Sequence, residues 1–388
     1  MHKLMVIFGT RPEAIKVAPV IKALQEHPRF HLVTVATAQH RQMLDQVLKI
    51  FGIVPDLDLD MLTPRQTLGG MTNRLLSELI PVLDSLRPDM VLVQGDTTTA
   101  FAGALAAYYS RIPVAHLEAG LRTGDIHSPY PEEANRRLIA CLSSLHLAPT
   151  PAAAANLRAE TVPADRVVVT GNTVIDALLW SVANSGGYGD PALAALNRDD
   201  TPVLLVTAHR RESWGEPMRQ IGAALAELAA AEPGLRIVIP VHRNPAVREA
   251  LLPPLAGLPT ITVVEPLDYA DFCQLMNRSH LILTDSGGVQ EEGPSLGKPV
   301  LVMRETTERP EGVAAGTARL VGTDPATIVR EVRTLLHDPA AYRRMAGAVN
   351  PYGDGRATER VVAALSHFFR SGPPAEPFTP SAAPRRPR

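Results

Sequence analysis

Leu4-Met5-Val6-Ile7-Phe8-Gly9-Thr10-Arg11-Pro12-Glu13 runs from an unbroken apolar stretch straight into a glycine-led polar turn. Five apolar residues without alternation suit a strand buried on both faces, as in a parallel sheet. Gly9 permits a tight turn, and Pro12 fits the first turn of a helix, where its missing N–H is not needed. The segment therefore reads as strand, turn and helix start, the opening of a βαβ unit.

The same signature recurs along the chain. Further strands are predicted at Leu32–Ala36, Met90–Val93, Ile112–His116, Leu145–Ala148 and Val167–Val169. A second series follows at Val203–Thr207, Ile237–Val241, Ile261–Val264, Leu281–Thr284, Pro299–Met303 and Ala318–Val321. Helix-period stretches such as Pro19–His27, Leu68–Leu86 and Glu216–Ala231 lie between them. Alternating βαβ in both halves implies an α/β fold with two doubly wound, Rossmann-like domains. At 388 residues the chain also exceeds the roughly 250–300 that one core supports. The expected division is 1–171 and 172–355, with the helical stretch 356–369 crossing back onto the first domain and the site in a cleft between the two. Residues 371–388, rich in Pro and Ala and ending in arginines, read as a disordered tail.

Charge is nearly balanced, 38 basic against 40 acidic residues, which disfavours a nucleic-acid binder built on a global positive field. The two cysteines, Cys141 and Cys273, are far apart and lack metal-ligand spacing, so neither a disulfide framework nor a metal site is expected, and a reducing cytoplasm suits the chain. No apolar run approaches the roughly 20 residues that span a membrane. The first strand lacks a Gly-x-Gly-x-x-Gly fingerprint, which argues against NAD.

Two places suit a phosphate. Arg11 and Lys16 sit near a helix start, although ordinary surface charge accounts for them equally well. Asp285-Ser286-Gly287-Gly288-Val289-Gln290-Glu291-Glu292 is stronger: after a strand, paired glycines let backbone N–H groups approach an anion, and Glu292 lies one turn on, placed for ribose hydroxyls. Asp96 and Glu118 each follow a predicted strand, and Glu132 opens Glu132-Glu133-Ala134-Asn135-Arg136. Any one of them alone is explained by capping or an ion pair, whereas three converging suggest proton transfer. His209 and His242 occupy analogous positions after consecutive strands.

Together these motifs resemble the bacterial non-hydrolysing UDP-N-acetylglucosamine 2-epimerases. Gly9 to Lys16, Thr37 to His40, Gly95 to Thr98 and His116 to Thr123 carry the likeness. Pro131 to Arg136, Thr170 to Thr173, His209 to Ser213, Asp285 to Glu292, Thr307 to Glu311 and Asn350 to Gly355 complete it, in consistent order over about residues 3 to 368. The resemblance implies a GT-B-like pair of domains, a cytoplasmic homodimer, no cofactor, and interconversion of UDP-N-acetylglucosamine and UDP-N-acetylmannosamine through a 2-acetamidoglucal. By the same resemblance Asp96, Glu118, Glu132 and His209 are catalytic. Ser286, Gly287, Gly288, Glu292 and Arg309 hold diphosphate and ribose, Phe272 meets the uracil, and Arg11 and Lys16 come from the first domain. Gln39, Gln42, Arg65 and His242 match residues that line an activating site in some relatives. Leu267 departs from the glutamine that relatives tend to carry before the uracil loop.

Overall fold

The computed structural model describes residues 1–38, 41–61, 67–198 and 200–380, the side chains of 41, 42, 197 and 198 excepted. Thirteen strands are formed among them: β1 (His2–Phe8), β2 (Phe30–Ala36), β3 (Leu57–Asp58), β4 (Met90–Gln94), β5 (Val114–Leu117), β6 (Leu145–Ala148) and β7 (Val167–Val169), then β8 (Val203–Thr207), β9 (Arg236–Pro240), β10 (Ile261–Val264), β11 (Leu281–Thr284), β12 (Val300–Val302) and β13 (Ala318–Leu320). The first seven pair in parallel in the order β3-β2-β1-β4-β5-β6-β7. The other six form a second parallel sheet, β10-β9-β8-β11-β12-β13. In each sheet the winding reverses beside its first strand, between β1 and β4 and between β8 and β11. Open α/β sheets bind ligands outside the carboxyl ends of the strands at such a reversal.

The short strand β3 is absent from the sequence expectation, because two residues carry no readable period. The helix start read at Gly9–Glu13 and the helix-period stretch from Pro19 belong to one helix, Arg11–Glu26, with Pro19 inside it. Thr10 caps it and Glu13 completes a capping box, which starts the helix well before the proline. Ala14, Ile15, Val17, Ala18, Ile21 and Leu24 form its buried face. Leu68–Leu86 and Glu216–Ala231 form helices with the expected bounds.

The chain divides into two compact units. The first holds Met1–Ala177 and Tyr352–Thr379, and Leu178–Pro351 belongs to the second. The division falls inside the helix Thr173–Asn184. Each unit has its own core: Met5, Ile7, Val91, Val93, Leu75 and Leu79 in the first, and Leu204, Val206, Ile221, Leu225, Ile237 and Leu283 in the second. The helix Ala357–Phe368 is part of the first unit. Asp176 accepts from the N–H groups of Ala357 and Thr358 at 3.2 and 2.7 Å, which fixes its start.

The expected free tail is corrected at its beginning. Phe378 is buried among Ala148, Val167 and Val169, donates its N–H to the Val169 carbonyl at 2.7 Å, and lies 5.3 Å under the Arg360 guanidinium. One aromatic side chain suffices to anchor a segment whose composition alone reads as unstructured. Residues 381–388 lie outside the described residues.

Candidate active site

At the reversal of the first sheet, the ends of β1 and β4 are laced together by one buried carboxylate. Glu13 accepts from the N–H groups of Gly9 (3.0 Å) and Thr10 (2.7 Å) and from the Thr97 hydroxyl (2.6 Å). Burial pushes its pKa up despite these donors. Gly9 is required here, since a Cβ would collide with the Thr37 and Thr99 hydroxyls, which hydrogen-bond each other at 3.1 Å.

Asp96 follows β4 and Glu118 follows β5, so neighbouring strands deliver both carboxylates to one place. Glu118 has φ +65°, a left-handed conformation rare for a residue with a side chain. Its carboxylate receives Lys16 Nζ at 2.6 Å on both oxygens, Asn172 Nδ2 at 3.2 Å, and Gln94 Nε2. Asp96 is bound by Arg136 through Nε (2.8 Å) and Nη2 (2.7 Å). Burial raises the Asp96 pKa; Arg136 opposes that rise and the Glu118 charge adds to it. The Asp96 carbonyl also accepts from Asn135 Nδ2 at 2.8 Å, tying it to the helix Glu132–Leu142.

The two glutamates that open that helix differ sharply. Glu133 is wholly buried and satisfied by Arg136, Arg137 and the Thr123 N–H. Glu132 is half-buried and makes no hydrogen bond or ion pair among the described residues, so it is the one available for chemistry. Arg11, at the start of its helix, is likewise uncommitted. Below the carboxylates His116 is fully buried, its Nε2 2.7 Å from the Gly95 carbonyl. Burial lowers its pKa to about 3, so the ring is neutral and donates from Nε2.

The reversal of the second sheet is organised by Asp285, fully buried after β11. Its Oδ2 accepts the N–H groups of His209 and Arg210 at 2.7 and 2.8 Å, and its Oδ1 lies 3.0 Å from His209 Nδ1. Burial works to raise the Asp285 pKa, but the imidazole and the two amides outweigh it and leave it low. With Nδ1 turned to Asp285, His209 presents Nε2 outward from a partly exposed ring. Ser286 then caps the helix Gly287–Glu292 without using its hydroxyl. A Cβ on Gly288 would sit 3.6 Å from Glu292 Oε2, so the glycine leaves an open backbone edge between the Ser286 hydroxyl and that carboxylate. Tyr269 donates to Glu292 at 3.4 Å, and Phe272 lies half-buried on the same helix, Tyr269–Arg278, as does Leu267 just before it.

Arg309 donates to the buried Glu291 carboxylate, and its N–H is held by Thr307 Oγ1 at 3.0 Å. Alternating charges buckle its loop to the His209 loop: Arg210 to Glu308 at 2.8 Å, Glu308 to Arg304, and Arg304 to Glu212 at 2.7 Å. Burial would raise the Glu308 pKa, yet a backbone hydrogen bond and the two arginines bring it to about 2. His242 is exposed, and its ring stacks on His209 at 6.0 Å; partial burial and the His209 charge lower its pKa. Gln39 and Arg65 lie outside the described residues, as does the side chain of Gln42 in the helix Arg41–Phe51.

The geometry thus gathers Lys16, Asp96 and Glu118 in the first unit and His209, Ser286, Gly287 and Gly288 in the second. Sequence reasoning gave no role to Gln94, Asn172, Arg136 or Asp285. Each stands beside or within a quoted motif, but only the folded chain aims it at a catalytic candidate. Among the described residues no helix is long and apolar enough to cross a membrane, and no group of His, Cys, Asp and Glu could hold a metal.

Residues 22–366 match the family model described as UDP-N-acetylglucosamine 2-epimerase. The UDP-N-acetylglucosamine 2-epimerase of Salmonella typhimurium is 53% identical over 372 residues, 94% of this chain and 99% of that protein. A crystal structure of UDP-GlcNAc 2-epimerase from Neisseria meningitidis bound to UDP-GlcNAc is 49% identical with a TM-score of 0.85, covering 94% of this chain and 100% of that one. The glycotransferase of kitacinnamycin, 16% identical with a TM-score of 0.62 over 96% of this chain, shares the GT-B-like fold. A family model spanning most of the chain and relatives half identical along nearly their whole length agree: this chain belongs to the UDP-N-acetylglucosamine 2-epimerase family.

Proposed function

We propose that this protein interconverts UDP-N-acetylglucosamine and UDP-N-acetylmannosamine by inversion at C2 without hydrolysis. The observation that carries the reading is the pairing of acids with an anion seat. Asp96 stands at the strand reversal of one sheet, with Glu118 after the next strand and Glu132 on the helix laced to Asp96, while His209, Ser286 and the paired glycines stand at the reversal of the other. Family membership supplies the substrate.

The C2–H of the sugar is not acidic in the ground state. Breaking the anomeric C–O bond sends its electron pair to UDP and leaves an oxocarbenium-like centre, beside which C2–H is readily removed. The proton passes to a carboxylate, the electrons of the C–H bond form the C1–C2 double bond, and 2-acetamidoglucal results. Return of a proton to the opposite face of C2 and re-addition of UDP at C1 complete the inversion. Acid and base groups are needed on two faces, which is the use of Asp96, Glu118 and Glu132. His209, through Nε2, and Arg11 stabilise charge on the departing UDP. Ser286, Gly287, Gly288 and Glu292 hold diphosphate and ribose, with Lys16, Arg309 and Phe272 as further substrate contacts. The active form is a cytoplasmic homodimer.

The test is incubation with UDP-N-acetylglucosamine in D2O, followed by proton NMR. Deuterium at C2 with UDP-N-acetylmannosamine accumulating supports the reading. Free N-acetylmannosamine plus UDP would mean a hydrolysing enzyme, and an unchanged, undeuterated substrate would refute catalysis on this sugar.

A further inference from the structure

Glu118 sits in a left-handed backbone conformation that a non-glycine residue adopts only at a cost, and something must hold it there. Its side chain is only 7% exposed and meets donors from three separate elements. Lys16 comes from the helix Arg11–Glu26, Gln94 from the last position of β4, and Asn172 from the turn after β7. Gln94 and Asn172 are themselves buried, at 2% and 3% exposure. Both point an amide N–H at the same carboxylate, and neither lies on the element that carries Glu118.

We propose that Gln94 and Asn172 are positioning residues for the Glu118 carboxylate: with Lys16 they form a cage of N–H donors that fixes its aim and its anionic form. This rests on the assignment of Glu118 to proton transfer. The physical case is that an ionised carboxylate only accepts hydrogen bonds, whereas a protonated one must also donate. Every group named here donates, so the cage selects the anion. Among the described residues, the titratable groups facing Glu118 include Lys16, Asp96 and His116. Lys16 is the charged partner, and the two amides add direction without charge. Asn172 has a second duty: its Oδ1 accepts the Val174 N–H at 3.1 Å and so starts the helix Thr173–Asn184. Removing the side chain would confuse loss of the cage with loss of that start.

The informative variant is therefore Asn172→Asp, which keeps an oxygen for Val174 and turns the donor toward Glu118 into an acceptor. Gln94→Met, which keeps shape and loses the donor, is the independent second. In both, kcat is expected to fall on the order of 10²-fold with KM within about threefold, since misaim of a reacting group by about an ångström costs that much. The acid limb of the kcat–pH profile should move to higher pH, because lost donors favour the protonated acid. A parallel readout needs no activity: the 13C resonance of the Glu118 carboxyl, assigned through Glu118→Gln, should titrate at higher pH in each variant than in the unaltered protein. In Asn172→Asp the new carboxylate would raise that titration by its charge alone, so Gln94→Met decides: if the titration is unmoved there, the cage is refuted, whatever the rates do. If it moves while the unaltered protein fails to epimerise UDP-N-acetylglucosamine, the cage stands and the proposed reaction falls.

Discussion

Glu13 offers the sharpest energetic test of how the first unit holds its site. Its carboxylate is 1% exposed and satisfies two backbone N–H groups and the Thr97 hydroxyl. Glu13→Ala leaves those three groups without an acceptor, at about 1–3 kcal/mol for each that stays buried. Part of this is offset because a desolvated charge disappears, so the expected net loss is ~3 kcal/mol. Glu13→Gln should behave differently. The amide oxygen replaces the carboxylate oxygen that takes both N–H groups, and the amide nitrogen faces Thr97, whose hydroxyl then accepts. A loss of no more than ~1 kcal/mol at pH 7 is expected.

The pH dependence has a definite sign. The folded pKa of Glu13 is raised by burial above 4.5, so the native state binds the proton more tightly than the unfolded one. Its contribution is fully present below about pH 4.5 and is lost as pH rises through the folded pKa. Glu13→Gln removes this dependence, so the variant gains on the unaltered protein from acid to neutral pH. Urea unfolding followed by far-UV circular dichroism is the assay, because both tryptophans, Trp180 and Trp214, lie in the second unit. A glutamine variant as unstable as the alanine variant, or a constant gap between it and the unaltered protein from pH 5 to 8, would refute the account.

His116→Gln keeps an Nε2 donor for the Gly95 carbonyl but cannot titrate. With the native pKa near 3, the unfolded state takes up a proton below about pH 6.5 that the native state refuses, so stability falls as pH drops. The variant should flatten that fall by about 1.4 kcal/mol per pH unit between 6 and 4.5, and an unchanged slope counts against a neutral buried ring. Glu132→Gln should lower kcat at least ~10²-fold while leaving the melting temperature nearly unmoved. Glu133→Gln should instead cost on the order of 3 kcal/mol, because it breaks a buried ion-paired cluster. Equal thermal effects of the two would overturn their division into reacting and structural carboxylates. Phe378→Ala should lose ~3 kcal/mol by urea titration, as expected for an aromatic removed from a core, and a loss below ~1 kcal/mol would mean the ring is not anchored.

Strands buried on both faces announce themselves by composition, which is why β4, β6, β7, β8 and β11 were legible to within a residue. β3 was not, because two residues that pair at an edge need no apolar run. The first helix was legible at its start, where Gly9 makes the turn and Pro12 falls in the first helical turn, while its helical period shows plainly only from Pro19 onward. The candidate acids were readable from their places after strands. Their environments were not, since Lys16, Gln94 and Asn172 meet Glu118 from positions 102, 24 and 54 residues away in the chain. Nothing local distinguishes Glu132 from Glu133 either; which of them turns inward is decided by arginines one helical turn along.

The anchored Phe378 has a consequence beyond the stability of one core. β7 is the outermost strand on its side of the first sheet, and an outermost strand is a template on which another molecule can add a strand of its own. The Phe378 N–H occupies the Val169 carbonyl, and its ring covers the apolar side chains beside it. The chain itself covers this border at Phe378. A chain shortened after Phe368 would keep every group assigned to the reaction, yet it would expose an unpaired border lined with valine and alanine. Its failure should first be seen in light scattering, as slow self-association growing with protein concentration, before turnover is affected.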